Sequence, residues 1–116
     1  MITSLFESLY TQEELQSKVA RYQAGYEQLQ DKKDFRSMAS ACYDIGCLYE
    51  LLGEEEKSRY YYQKIVDEWN THPDDIPYYI CVHALKALKK SKEAFEIVLA
   101  YAPRWDLRDL ASFMRN

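Results

Sequence analysis

The residues able to do chemistry in this chain are few. Cysteines stand at positions 42, 47 and 81 and histidines at 72 and 83. No CxxC pair is present, which argues against a zinc ribbon or a thioredoxin-type site. Cys47 and His83 are the combination to weigh. A thiolate and an imidazole hold zinc when two further ligands join them. Glu50 lies one helical turn from Cys47, but no fourth ligand is evident. With His83 as its base, Cys47 would be a thiolate nucleophile for acyl chemistry. Nothing supplies an oxyanion hole or a third orienting group. Packing accounts for both residues better than metal binding or catalysis, so no enzyme activity, metal or cofactor is expected. An odd number of cysteines in apolar surroundings suits a reducing compartment, and a cytoplasmic location is expected.

Charge narrows the partners. The formal net charge is −4, whereas a nucleic-acid module usually carries a basic face. The basic runs Lys32-Lys33, Lys86, Lys89-Lys90 and Lys92 are short and read as solvated helix faces, so no nucleic-acid partner is expected. No apolar run approaches the roughly 18 residues that span a bilayer, so no membrane partner is expected. Residues 1–10 have neither a basic start nor a small-residue cleavage site, and do not read as a secretory signal.

These residues must be positioned by helices. The chain has 116 residues, with Tyr 11 and Phe 4 but only Gly 3 and Pro 3. So few turn-formers argue against an all-β sandwich or barrel. One all-α domain over 1–116 is expected, with about six helices including N- and C-terminal caps. Residues 2–10 read as a short docking helix, from Ile2, Leu5, Phe6 and Leu9. Thr11 with Glu14 reads as a capping box opening a helix from about 12 to 30, with Leu15, Val19, Tyr22, Tyr26 and Leu29 on its apolar line. Asp34 caps a second helix from about 35 to 52, with Gly46 in its middle and Gly53 at its end. A mid-helix glycine suggests that another backbone comes close. A third helix runs from about 55 to 69. A fourth, from about 75 to 89, takes Asp75 as its cap and Pro77 in its first turn. A fifth starts at Ser91 and ends before Pro103. A closing helix spans Trp105 to Met114. Short connections make neighbours antiparallel.

The chain also repeats itself. A shift of 36 residues brings Ile45-Gly46 onto Cys81-Val82, Tyr49 onto Leu85, Ser58 onto Ala94 and Tyr62 onto Val98. Only apolar or small residues meet in these pairs. Fixed-period self-similarity is the mark of stacked helical hairpins, which cannot bury their apolar faces alone.

The stretch Ile45-Gly46-Cys47-Leu48-Tyr49-Glu50-Leu51-Leu52-Gly53-Glu54 resembles the first helix and turn of a tetratricopeptide repeat. Gly46, Tyr49 and Gly53 match that family's glycine–tyrosine–glycine spacing. Ser58 and Tyr62 match its small residue and following aromatic in the second helix. The closing proline is replaced by Asn70. A second unit over about 75–106 is degenerate, with Tyr78 at a tryptophan position, Ala94 at the small position, and Val82 and Lys89 at the glycine positions. The first long helix resembles the second half of an earlier unit. The resemblance implies antiparallel hairpins stacked as a short right-handed superhelix.

In that family the first helix of each unit lines a concave groove that binds a peptide or a partner helix. Carried over, Tyr43, Cys47 and Glu50 would line the groove from one unit, and Tyr79, His83 and Lys86 from the next. Tyr43 would lie beside Tyr79, and Cys47 beside His83. The lysine and asparagine clamp by which co-chaperones of the family hold a terminal carboxylate has no counterpart here. The expected role is a non-enzymatic interaction module. The alternatives are a small chaperone of the secretion type that shields an apolar helix, or a homodimer formed through the terminal helices.

Overall fold

Among the described residues five helices form, the first two opened by side-chain caps and all carried by apolar periodicity. No strand occurs among residues 10–101, which are those described in this computed structural model. Helix α1 spans Gln12–Lys32. Thr11 Oγ1 accepts from the Glu14 backbone N–H at 3.1 Å. Glu14 Oε1 accepts a hydrogen bond from the Thr11 hydroxyl at 3.2 Å, so of the expected capping box the Thr11 half forms and the Glu14 carboxylate meets the hydroxyl. The helix runs past the expected end at 30. Lys33 then turns left-handed at φ 55°. Its N–H reaches the Gln30 carbonyl at 3.1 Å and the Asp34 N–H reaches that of Leu29 at 3.2 Å, the Schellman closure of a helix. Asp34 at once caps helix α2, Phe35–Leu51, by accepting from the Ser37 N–H at 3.2 Å.

Gly53, at φ 77°, ends α2 by the same closure, with Glu54 N–H on the Tyr49 carbonyl at 2.9 Å. Helix α3 follows as Glu55–Thr71, with Glu55 and Glu56 in its first turn, where negative charge suits the helix dipole. It exceeds the expected end at 69 by two residues.

Helix α4 is Tyr78–Ala87, shorter at both ends than the expected 75–89. Asp75 is not its cap, and Pro77 precedes the helix in extended backbone (φ −60°, ψ 133°) instead of sitting in its first turn. The cause is steric, because the residue before a proline is driven out of the helical region. A helix through Asp75 and Ile76 is therefore blocked. Ile76, 3% exposed, instead tucks its side chain into the core from the loop. Helix α5 begins at Ser91 and is described to Tyr101. Of the docking helix expected at 2–10, all but Tyr10 lies outside the described residues, as does the closing helix at 105–114, and Tyr10 is not helical.

Each helix packs on the next, and α2 also touches α4. The pairs α1–α2 and α2–α3 are antiparallel. Going back along α2 from Tyr49 through Gly46 to Tyr43, the partners on α3 advance from Lys57 through Ser58 to Tyr62. Ile45, Ile65, Cys81, Leu85 and Val98 are fully buried where the helices converge. The isoleucine, leucine and valine side chains among them each stabilise the fold by about 1.5–3 kcal/mol.

The 36-residue correspondence extends to the fold. Leu52 and Leu88 end α2 and α4, and Gly53 and Lys89 (φ 64°) are both left-handed. Glu55 and Ser91 both start the next helix. Ser58 and Ala94, and Tyr62 and Val98, are all buried. The correspondence fails at its end, where Ile65 is buried and Tyr101 is 52% exposed.

Two packing details depart from expectation. At Gly46 the close neighbour is a side chain, not a backbone: a Cβ there would stand 2.7 Å from Tyr62 Cε1. Ser58 Oγ donates to the Gly46 carbonyl at 2.9 Å. On α1, Tyr22 lies at the surface, and Gln23 takes the inward place. Its Nε2 donates to the hydroxyls of Tyr49 and Tyr61, both at 3.0 Å. Among the described residues, no helix is long and apolar enough to cross a membrane.

Candidate functional site

Helices α2 and α4 present a shared cleft of about 250 Å³. From α2 it is lined by Ser40, Tyr43 and Asp44, and from α4 by Tyr79, Ile80 and His83. The helix period explains the set. Residues three and four apart share a face, which groups 40, 43 and 44, and likewise 79, 80 and 83.

Tyr43 is half-buried and Tyr79 is 49% exposed. The Tyr43 ring leans on His83 at a centroid distance of 6.1 Å and on Tyr62 at 5.8 Å. Tyr79 sets its edge to Tyr78 at 6.1 Å. Burial pushes the Tyr43 hydroxyl above the ordinary phenol range, helped by the nearby Cys47 thiol. Tyr43 therefore acts here as neutral aromatic surface with a hydroxyl. Asp44 has no ion-pair partner among the described residues. Desolvation raises its carboxyl above the usual carboxylate range.

The six residues expected to line one groove are divided. Tyr43, Tyr79 and His83 come together. Cys47 lines a different cleft, between α1 and α2, with Leu15, Lys18, Tyr22 and Leu48. Its thiol accepts from the Tyr62 hydroxyl at 3.4 Å. Glu50, exposed, lines a third cleft with Glu55, Arg59, Tyr62, Ala87 and Lys89. Lys86 is half-buried in the last turn of α4.

This division bears on the chemistry of the thiols. Cys47 lines the α1–α2 cleft and His83 the α2–α4 cleft. Burial raises the Cys47 thiol; the Tyr62 hydroxyl bond opposes that rise, while the Glu50 charge adds to it. Cys42 is pushed up to about 11 and Cys81 to about 12, mainly by burial. A thiol held above its ordinary value is mostly protonated at neutral pH and a poor nucleophile. Among the described residues no group of three or more His, Cys, Asp or Glu side chains is placed to hold a metal.

Sequence reasoning missed Asp44, Ser40 and Ile80. Asp44 stands four residues from Ser40 and three from Cys47, on the stripe that carries Tyr43, and that spacing was the available signal. Compared with known protein families, with curated proteins and with solved structures, the chain matches none.

Proposed function

We propose that this protein is a non-enzymatic interaction module of the tetratricopeptide type, whose α2–α4 cleft receives a segment of a partner protein. The observation that carries this reading is the partly open aromatic cleft of Tyr43, Tyr79 and His83 between the two helices related by the 36-residue shift. Tyrosine contributes large contact area at small entropic cost, because few torsions are frozen on binding. The equivalent turns at Gly53 and Lys89, and the contact of α2 with α4, are what stacked hairpins of this type require. In that architecture α2 and α4 are the groove-lining helices and α3 and α5 form the outer face. The cleft is also smaller than the roughly 300–1,000 Å³ typical of small-molecule sites, which suits a side chain of a bound segment.

Affinity capture from the native cell tests the reading, with the wild type beside Tyr79→Ala, Tyr43→Ala and Tyr60→Ala. Tyr60 of α3 is 58% exposed, packs beside Tyr61 and Lys64, does not line this cleft, and serves as the control. A partner retained by the wild type and the Tyr60 variant, but weakened about tenfold or more by Tyr79→Ala, is expected from an aromatic anchor. Partners that bind all four proteins equally would remove the cleft from consideration.

A further inference from the structure

The cleft combines features that select for charge. Two tyrosine rings and an imidazole form its walls, and the Asp44 carboxylate stands at its edge without a cation of its own among the described residues. Elsewhere on this surface, lysines have found such walls: Lys64 Nζ sits 5.0 Å from the Tyr60 ring and 5.7 Å from that of Tyr26. Lys57 lies 5.5 Å from the Tyr49 ring. At the α2–α4 cleft the rings and an acid are likewise present together.

We infer that the cleft recognises a basic side chain, lysine or arginine, on the bound segment. Its cation would lie against the Tyr43 and Tyr79 rings and pair with Asp44. The inference rests on the interaction-module reading above and names the chemistry of its partner. An aromatic face attracts a cation through its negative quadrupole. The exposed Asp44 carboxylate at the same cleft adds a charge-assisted hydrogen-bond acceptor for that cation. Among the other titratable groups nearby, His83 is on the α4 wall, Cys47 and Glu50 of α2 both act on the Tyr43 hydroxyl, and Lys18 of α1 lines the neighbouring cleft that Asp44 also borders. An acidic side chain in the cleft would meet Asp44 and the net charge of −4 on the whole chain.

The test uses the full chain and a display library of random 12-residue peptides, selected on the wild type. Enriched peptides are synthesised and measured by fluorescence anisotropy against the wild type, Asp44→Asn and Tyr79→Ala. Thermal melts verify that each variant is folded. The expected result is a lysine or arginine in the enriched peptides, with binding weakened about three- to tenfold by Asp44→Asn and by exchange of that residue for norleucine. Tyr79→Ala weakens the same peptides about tenfold or more. Peptides that depend on Tyr79 but carry no basic residue, or ignore Asp44→Asn, would overturn the inference and leave the groove reading standing. Peptides indifferent to Tyr79→Ala, or a library that yields none, would overturn both.

Discussion

A Cβ added at Gly46 would press into the Tyr62 ring at 2.7 Å, whereas one added at Gly25 meets no atom within 4 Å. Tyr62 cannot swing aside, being 2% exposed with its hydroxyl bound to Cys47. Gly46→Ala should therefore lose about 1–3 kcal/mol to overpacking, beyond what its better helix propensity returns. Gly25→Ala should gain about 0.5–1 kcal/mol, since only the entropy of a helical glycine is removed. Urea melts of the two variants read both signs, and a stable Gly46→Ala would mean that the ring yields. The spacing of the sequence singled out Gly46 but assigned it a close backbone. The ring that fills the space belongs to a residue sixteen positions on, and only the packing of α2 on α3 identifies it. Among the site residues, Tyr43, Tyr79 and His83 were legible as one face, because each helix repeats every 3.6 residues. Asp44 was not, because it lies at the margin of its stripe, where a small rotation of the helix decides between water and cleft.

At the scale of the element, the helix ends carry the clearest prediction. Lys89 adopts the left-handed conformation that Gly53 adopts at the equivalent turn. A side chain there crowds the following carbonyl at a cost of about 1–2 kcal/mol, which glycine avoids. Lys89→Gly should raise stability by about 1 kcal/mol after glycine's own entropy is counted. For a domain of this size, that is a rise in melting temperature of about 4–8 °C. Differential scanning calorimetry measures it, and an unchanged midpoint would show that Lys89 is compensated locally. The start and the end of α2 were readable because Asp34 and Gly53 act on their immediate neighbours. The start of α4 was misread because Pro77 both permits a helix after it and forbids one before it. Which effect governs a given stretch depends on whether the preceding residue has somewhere else to go, and here Ile76 finds the core.

For the whole molecule, burial sets the response to alkali. It raises the thiols of Cys42, Cys47 and Cys81 and the hydroxyls of Tyr26, Tyr43, Tyr61 and Tyr62 above their ordinary values. In the unfolded chain these groups release protons near pH 8.5 for thiols and 10 for phenols. The folded chain keeps those protons to higher pH, so raising the pH favours the unfolded state. Stability should be full below about pH 8.5 and fall steadily from there toward pH 12. Urea midpoints by far-ultraviolet circular dichroism at pH 7, 9, 10 and 11 test this, and a flat profile would contradict it.

The sequence by itself determined the all-helical class, the five helices of the described region within a few residues, and the 36-residue correspondence between α2–α3 and α4–α5. These follow from caps and periodicities that act over one or two turns. Only the tertiary structure decided that Gln23 turns inward instead of Tyr22, that Cys47 and His83 face different clefts, and that Asp44 joins Tyr79. Successive helical residues point about 100° apart, so a modest rotation of one helix against another changes which neighbour reaches the interface. That rotation is set by how the side chains of all the helices pack together, and no local stretch of sequence contains it.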